Sequence, residues 1–352
     1  MKLLIVTQAV DANDPVLGFF VHWIEEFAKH FERIEVIALR VGKYDLPGNV
    51  RVHSLGKENK PPRFARRLLY ILRFKRLVWK LRHDYDAVFV HMNPEYLALA
   101  GWWWRITRKR VVLWYAHRAV TLKLRVAARF ADVIATTSAS SFNLNSHKVH
   151  VLGHGIDTAF FRNPHKRSVP HSPLEIICVG RLTPIKDQRT VVEALALLRE
   201  RDVDVRLTLI GAPVRAGDSA YEHEVKELVA KRGLEDRVAF VGAVTYDNMP
   251  RQYAEHDISV NLCPTGGLDK VVFESMAASV PAIVANRGFK KYLGSYAERL
   301  SFLHGDSHDL AEKISALIRA PDFAQVGSDL AETARREADV SILVTALAKL
   351  LS

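Results

Sequence analysis

Short apolar runs rich in Val and Ile alternate with helical patterns along the whole chain, and this alternation limits the fold more than any other feature. In the first half the strand-like runs are Leu3–Val6, Glu35–Leu39, Val50–Ser54, Ala87–His91, Val111–Tyr115, Val133–Thr136 and Val149–Leu152. In the second they are Glu175–Val179, Arg206–Ile210, Arg237–Val241, Ile258–Leu262, Ala282–Val284 and Leu300–Leu303. Between them, Val21–Phe31, Arg189–Arg201, Tyr221–Lys231 and Leu310–Leu317 have helical spacing. Runs this apolar are buried on both faces, so the alternation predicts parallel sheets with helices on either side. A chain of 352 residues exceeds what one core usually serves. Two sheets with separate cores are therefore expected. The segment 163–173 holds three prolines and little apolar content, and it reads as the linker.

The expected class is α/β, with two Rossmann-like domains over 1–165 and 166–335. Residues 336–352 read as a C-terminal helix packing back on the first domain. Ligands of such sheets bind past the carboxyl ends of the strands, where the strand order reverses. The stretch Pro264–Glu274 lies in such a place, between the run Ile258–Leu262 and the helical Ser275–Ala278. Its Gly266-Gly267 turn leaves backbone N–H groups aimed at one point, and the following helix adds the positive end of its dipole. That combination suits a phosphate or diphosphate. Arg181 and Lys186 directly follow the strand Glu175–Val179. There two cations five residues apart converge on a diphosphate, Arg as a bidentate fork and Lys as a mobile point charge. Glu274, in the first turn of the next helix, reads as an acceptor for a ribose diol, or else as a carboxylate favoured by the helix dipole.

Taken together, Val179-Gly-Arg-Leu182 with Lys186, Val238-Ala-Phe-Val-Gly242, Glu274-Ser-Met-Ala-Ala278 and Pro281-Ala-Ile-Val284 resemble the C-terminal domain of retaining GT-B glycosyltransferases of family 4. Gly153-His-Gly-Ile-Asp157 is similar to that family's segment before the linker, with His154 in place of Asn. The resemblance implies two Rossmann-like domains facing across a central cleft and a nucleotide-sugar donor. It implies that Arg181 and Lys186 hold the donor diphosphate, that Glu274 holds the ribose, and that Gly266, Gly267, Leu268, Asp269 and Lys270 line the donor sugar and phosphate. Gly18 and Val241 fall on the donor side by the same reasoning. His117, after the strand Val111–Tyr115, matches a family histidine near the donor sugar; His91 is the alternative. One departure stands out: the family's first Glu, eight residues before Glu274, is replaced by Gly266. Asp269 or a backbone group takes over its contact, or the chain belongs to a branch that does without it.

Charge bears on the acceptor. Residues 1–165 hold 26 Lys and Arg against 13 Asp and Glu, whereas the rest holds 24 against 26. The whole basic excess therefore belongs to the first half, and Lys60–Arg82 carries nine cations and no acid. At ~100° per residue, Arg66, Arg73, Arg76 and Lys80 fall on one stripe with apolar residues mostly opposite. Trp102, Trp103 and Trp104 stand beside four further cations in Gly101–Arg110. Tryptophan favours membrane interfaces and cations favour anionic leaflets, so an anionic membrane surface is the expected partner. No nucleic-acid module is present. The N-terminus has no signal-peptide pattern, and no uncharged apolar run spans a bilayer. A cytoplasmic enzyme, peripheral on the inner face of the membrane, is expected to act on a lipid-linked or envelope-glycan acceptor. Cys178 and Cys263 read as buried thiols. No His, Cys or acid spacing marks a metal site, and Asp202-Val-Asp204 stands just before a strand, so no metal is expected. Two other readings stand beside this one. A nucleotide-sugar epimerase needs no separate acceptor surface, and a silent nucleotide-sugar binder would follow from Gly266. Transfer from a panel of donors in the presence of membranes separates the three.

Overall fold

The computed structural model describes residues 1–59, 65–163, 169–214, 216–264 and 267–352. Contacts divide the chain into two compact units. The first comprises Met1–Asp157, Thr245–Asp247 and Val340–Ser352; the second comprises Thr158–Val244 and Asn248–Asp339.

The first unit holds β1 (Lys2–Val10), α1 (Phe19–Ala28), β2 (Arg33–Val41), β3 (Val50–Ser54), α2 (Arg66–Lys80), β4 (Ala87–His91), α3 (Pro94–Ile106), β5 (Arg110–Trp114), α4 (Leu122–Phe130), β6 (Val133–Thr136) and β7 (Val149–Val151). Its seven strands are parallel, in the order β3-β2-β1-β4-β5-β6-β7. Side chains alternate across the sheet with period two. Leu3, Ile5, Val36 and Phe89 therefore face one core layer, and Leu4, Val6, Val88 and Val90 the other. The first layer is closed by Phe20, Trp23, Ile24 and Phe27 of α1, whose spacing makes one apolar stripe. Phe74 and Val78 of α2, Leu97 and Trp104 of α3 and Leu124 of α4 close the second layer. Each such side chain contributes roughly 1.5–3 kcal/mol by burial.

The second unit holds β8 (Leu174–Val179), α5 (Gln188–Glu200), β9 (Val205–Ile210), α6 (Ala216–Lys231), β10 (Val238–Gly242), α7 (Met249–Ala254), β11 (Ile258–Asn261), α8 (Lys270–Ala277), β12 (Ala282–Val284), α9 (Lys290–Leu293), α10 (Ser307–Ile318) and α11 (Phe323–Ala338). Its five strands are parallel, in the order β10-β9-β8-β11-β12. The expected run Leu300–Leu303 is not a strand: it makes a single bridge, Ser301 to Val284.

The last helix, α12 (Val340–Leu351), packs Val340, Leu343, Val344, Leu347 and Leu351 into the first unit's core. Gly155 lets it approach, because a Cβ there would lie 2.6 Å from Leu343 Cδ2. The first unit ends at Asp157, ahead of the proline-rich segment. Phe161 is already buried against Tyr253 of the second, with ring centroids 5.8 Å apart. Both sheets reverse order once, between β1 and β4 and between β8 and β11. Those two carboxyl ends are where a ligand crevice forms.

Candidate active site

In the second unit, the loops leaving β8 and β11 supply the polar groups. Gly180 N–H donates to the Ile210 carbonyl at 2.8 Å. Gly211 has φ +138°, and a Cβ there would sit 2.0 Å from the Gly180 carbonyl oxygen. Only glycine lets β8 and β9 end this close together. Arg181 is exposed, and its carbonyl accepts from Gln188 Nε2 at 3.0 Å. A short 3-10 turn, Pro184–Lys186, follows. Asp187, at φ +48°, then turns the chain into α5.

Lys186 reaches across to the β11 side, with its Nζ 2.5 Å from Asp269 Oδ2. Asn261, the last residue of β11, donates to the same oxygen at 2.9 Å. Asp269 occupies the N-cap position of α8, yet its side chain makes no capping hydrogen bond. Its carboxylate serves Lys186 and Asn261 instead. Three buried side-chain atoms around this joint, Thr183 Oγ1, Gln188 Oε1 and Asn261 Oδ1, have no hydrogen-bond partner among the described residues. Buried polar atoms are nearly always paired, so such a group marks a site shaped for something further. Arg181 and Lys186 follow β8, and α8 begins beside Asp269, so two cations and a helix N-terminus are the groups here that suit an anion.

Glu274 is 1% exposed. Its Oε1 accepts from Lys270 Nζ at 2.6 Å, and its Oε2 lies 3.2 Å from the Tyr253 hydroxyl. Tyr253 OH also lies 3.1 Å from the Val271 carbonyl. A carboxylate offers about four lone-pair sites, so Glu274 keeps acceptor capacity beside Lys270.

Other expected donor residues stand differently. Leu268 is buried, and a Cβ on Gly288 would lie 3.0 Å from its Cδ2. Val241 is 47% exposed on β10, the edge strand two removed from β11's partner β8, at an irregularity between Phe240 and Gly242 that turns it outward. Gly267 is half-buried beside this joint, and Gly266 lies outside the described residues. Cys178 and Cys263 are buried and form no disulfide, and burial pushes the Cys178 thiol up to about 12.

In the first unit, Gly18 is buried. A Cβ on it would lie 2.7 Å from both the Asp14 carbonyl oxygen and Tyr246 Cβ. Its smallness closes the turn from β1 into α1. Asp14 accepts from Val16 and Leu17 N–H at 2.8 Å each and pairs with Arg40. His117, past the end of β5, is exposed, and its Nδ1 accepts from Ala119 N–H at 3.0 Å, leaving Nε2 for a ligand. His91 is enclosed instead. It stacks on Phe20 at 4.0 Å and shares a 3.1 Å hydrogen bond with Thr7, and burial pulls it down to about 3. The motif segment at 153–157 has structural duties: the Gly155 carbonyl accepts from Trp23 Nε1 at 2.9 Å, and Asp157 holds His22 Nδ1 at 2.8 Å.

The basic helix and the tryptophans are only partly surface. Trp104 is fully buried and donates to the Tyr85 hydroxyl at 3.0 Å; Trp103 is half-buried; Trp102 is 50% exposed. The apolar stripe of α3 needs those positions for the core. Arg73 turns back to donate to the Leu55 carbonyl at 2.8 Å. Arg66, Arg76 and Lys80 remain exposed, with Leu68, Leu72 and Trp79 exposed beside them. Asn261, Tyr253 and the Lys186–Asp269 link were absent from the sequence reading. A polar residue closing a buried strand was the one available sign, at Asn261.

The family model for glycosyl transferases group 1 matches residues 160–337. Among curated relatives, the chain is 32% identical over 120 residues to the GDP-mannose-dependent alpha-(1-6)-phosphatidylinositol monomannoside mannosyltransferase of Mycobacterium tuberculosis, covering 32% of this chain and 30% of that one. It is 31% identical over 167 residues to the lipopolysaccharide core biosynthesis mannosyltransferase LpsB of Rhizobium meliloti, covering 46% of each. The chain thus spans less than half the length of either relative. Anabaena HepE, solved in complex with UDP-glucose, superposes with a TM-score of 0.75 at 18% identity over 99% of this chain and 98% of HepE. That likeness establishes the GT-B fold of paired Rossmann-like domains. The family match takes in half the chain and all five strands of the second sheet, and the chain belongs to the glycosyl transferases group 1 family.

Proposed function

We propose that the protein is a retaining glycosyltransferase of family 4, moving a sugar from a nucleoside-diphosphate sugar to a lipid-linked or envelope-glycan acceptor. The observation that carries the reading is the link from Lys186, in the same loop as Arg181, across to Asp269 at the start of α8, at the switch point of a unit that matches the family. The anomeric C–O bond to the diphosphate breaks, and the bond electrons leave with the diphosphate. The acceptor hydroxyl attacks on the same face, and its proton passes to the departing phosphate oxygen. Arg181 and Lys186 stabilise the charge that grows there, an interaction stronger in the transition state than in the ground state. Lys186 is shared with Asp269, which holds it in place until a diphosphate competes for it. Glu274 would receive the ribose diol, and His117 Nε2 would meet the donor sugar. These cations supply the positive charge, so the proposed reaction needs no divalent metal.

The names of the relatives, a phosphatidylinositol mannoside mannosyltransferase and a lipopolysaccharide core mannosyltransferase, support an acceptor carried on a lipid. The exposed cations of α2 beside Leu68, Leu72 and Trp79 support peripheral contact with an anionic leaflet on the cytoplasmic side. The test is transfer from radiolabelled UDP-, GDP- and ADP-sugars to membrane extracts, with and without a chelator, and the anomeric coupling of the product read by NMR. A product with the donor's configuration and an unchanged rate in chelator is expected. An inverted product, or no transfer with any donor, refutes the reading.

A further inference from the structure

The first unit contains a cavity of about 400 Å³ that the donor site does not use. It opens between α2 and α3, at the carboxyl ends of β1 to β3, the edge of the sheet where ligands of this fold bind. Its wall is apolar: Leu39, Leu55, Ile71, Phe74, Tyr96 and Leu99. Leu55 and Phe74 are fully buried, so the cavity reaches the core layer itself. Besides the Tyr70 and Tyr96 hydroxyls, its polar groups are few among the described residues. Gln8 and Asn93 come from the ends of β1 and β4, and Arg67, Glu95 and Lys123 come from three helices. Lys123 pairs with Glu95 at 2.8 Å. Burial pushes the Glu95 carboxyl up, but the Lys123 hydrogen bond and the charges of Lys123 and Arg67 outweigh it and hold the group below its ordinary value. The rim therefore carries two cations against one carboxylate.

An apolar cavity with a few convergent polar groups is the usual form of a small-molecule site. Water gains little in such a space, because it needs two to four polar partners. A sugar would leave its hydroxyls unpaired against Leu55, Ile71 and Phe74. A hydrocarbon chain fits the wall, and a phosphate fits Arg67 and Lys123. We propose that this cavity binds the apolar chain of a phosphate-bearing amphiphilic acceptor, with the phosphate on Arg67 and Lys123. The inference rests on the glycosyl-transfer reading for its meaning, but its test does not.

The probes are n-decyl phosphate, decanol and inorganic phosphate, each titrated into the full chain by calorimetry. Decyl phosphate should bind one to one, and inorganic phosphate should not bind over the same range. Arg67→Gln should weaken decyl phosphate by ~10-fold and leave decanol unchanged. Ala98→Trp, which fills the cavity from α3, should weaken both by at least ~10-fold. Should that variant fail to fold, a decyl phosphate carrying a terminal diazirine decides on the unaltered protein. It should label peptides within 66–74 and 93–99. Labelling confined to the Trp102–Ile106 end of α3, or decyl phosphate affinity untouched by Ala98→Trp in a folded protein, would overturn the proposal. The same samples are titrated with nucleotide-sugars. Donor binding without decyl phosphate binding refutes this site alone, and the converse refutes the transferase reading alone.

Discussion

Lys186 is the residue on which the account turns most directly. It stands at the end of β8, but its charge is delivered to the β11 loop, 2.5 Å from Asp269. Removing one transition-state charge contact typically costs ~10²-fold in rate. Arg181→Ala and Lys186→Ala are each expected to lower transfer by at least that factor; near-normal rates in folded variants would remove both from the diphosphate. Glu274→Ala should weaken nucleoside diphosphate binding by ~1–3 kcal/mol, the scale of a lost buried acceptor. Calorimetry checks this, and unchanged affinity would mean that Glu274 serves only Lys270 and Tyr253. At this scale the sequence was legible where a motif residue sits on a strand end. It was blind to partners brought from afar: Asn261 and Asp269 meet Lys186 only because the sheet places β11 beside β8. Gly18 and Leu268 are both buried, and their motif positions also serve close packing.

Among the elements, α2 is the most exposed to test. Its buried face is narrow, Phe74 and Val78, and its outer face mixes Leu68, Leu72 and Trp79 with cations. Each cation near an anionic leaflet adds ~1 kcal/mol, so changing Arg66, Arg76 and Lys80 to Gln should weaken vesicle binding by up to ~3 kcal/mol. Flotation on neutral and anionic vesicles measures it, with salt expected to weaken binding as charges are screened over ~8 Å. Equal binding to both vesicle types would return α2 to a solvated helix. Trp104→Ala should instead act on stability, costing ~3–5 kcal/mol as a buried aromatic is lost. Urea denaturation would show it. The cation stripe of α2 was readable from sequence, but Leu68, Leu72 and Trp79, expected mostly opposite it, stand exposed beside it because the buried face is only Phe74 and Val78. The division of labour among Trp102, Trp103 and Trp104 was not readable, since a run of identical residues carries no periodic signal. All twelve strands were legible as apolar runs, whereas Leu300–Leu303 looked like a thirteenth and makes only one bridge.

For the whole molecule, acid stability tests how the first unit is built. His91 is held down to about 3 by burial. Folded and unfolded forms are both neutral well above the ordinary histidine value of ~6.5. Below it the unfolded chain takes up a proton that the folded chain refuses, so stability falls as pH falls, by at most ~1.4 kcal/mol per pH unit, until the folded group itself titrates near 3. Thermal unfolding between those pH values should show this slope, and His91→Gln should flatten it. An unaltered slope would place the acid sensitivity elsewhere. The two-sheet plan was legible from strand–helix alternation, and the last helix was read as packing back on the first domain, but the end of the first unit at Asp157 depends on packing around Gly155 and Phe161 that no local pattern announces. The central claim is that the switch point of β8 and β11 holds a nucleotide-sugar. Its most direct measurement is calorimetric titration of wild type, Lys186→Ala and the Arg66, Arg76, Lys80 triple Gln variant with UDP-, GDP- and ADP-sugars. At least one donor should bind one to one, weakened at least ~10-fold by Lys186→Ala and unchanged in the triple variant. Binding of none of them, or binding that Lys186→Ala leaves intact, would contradict it.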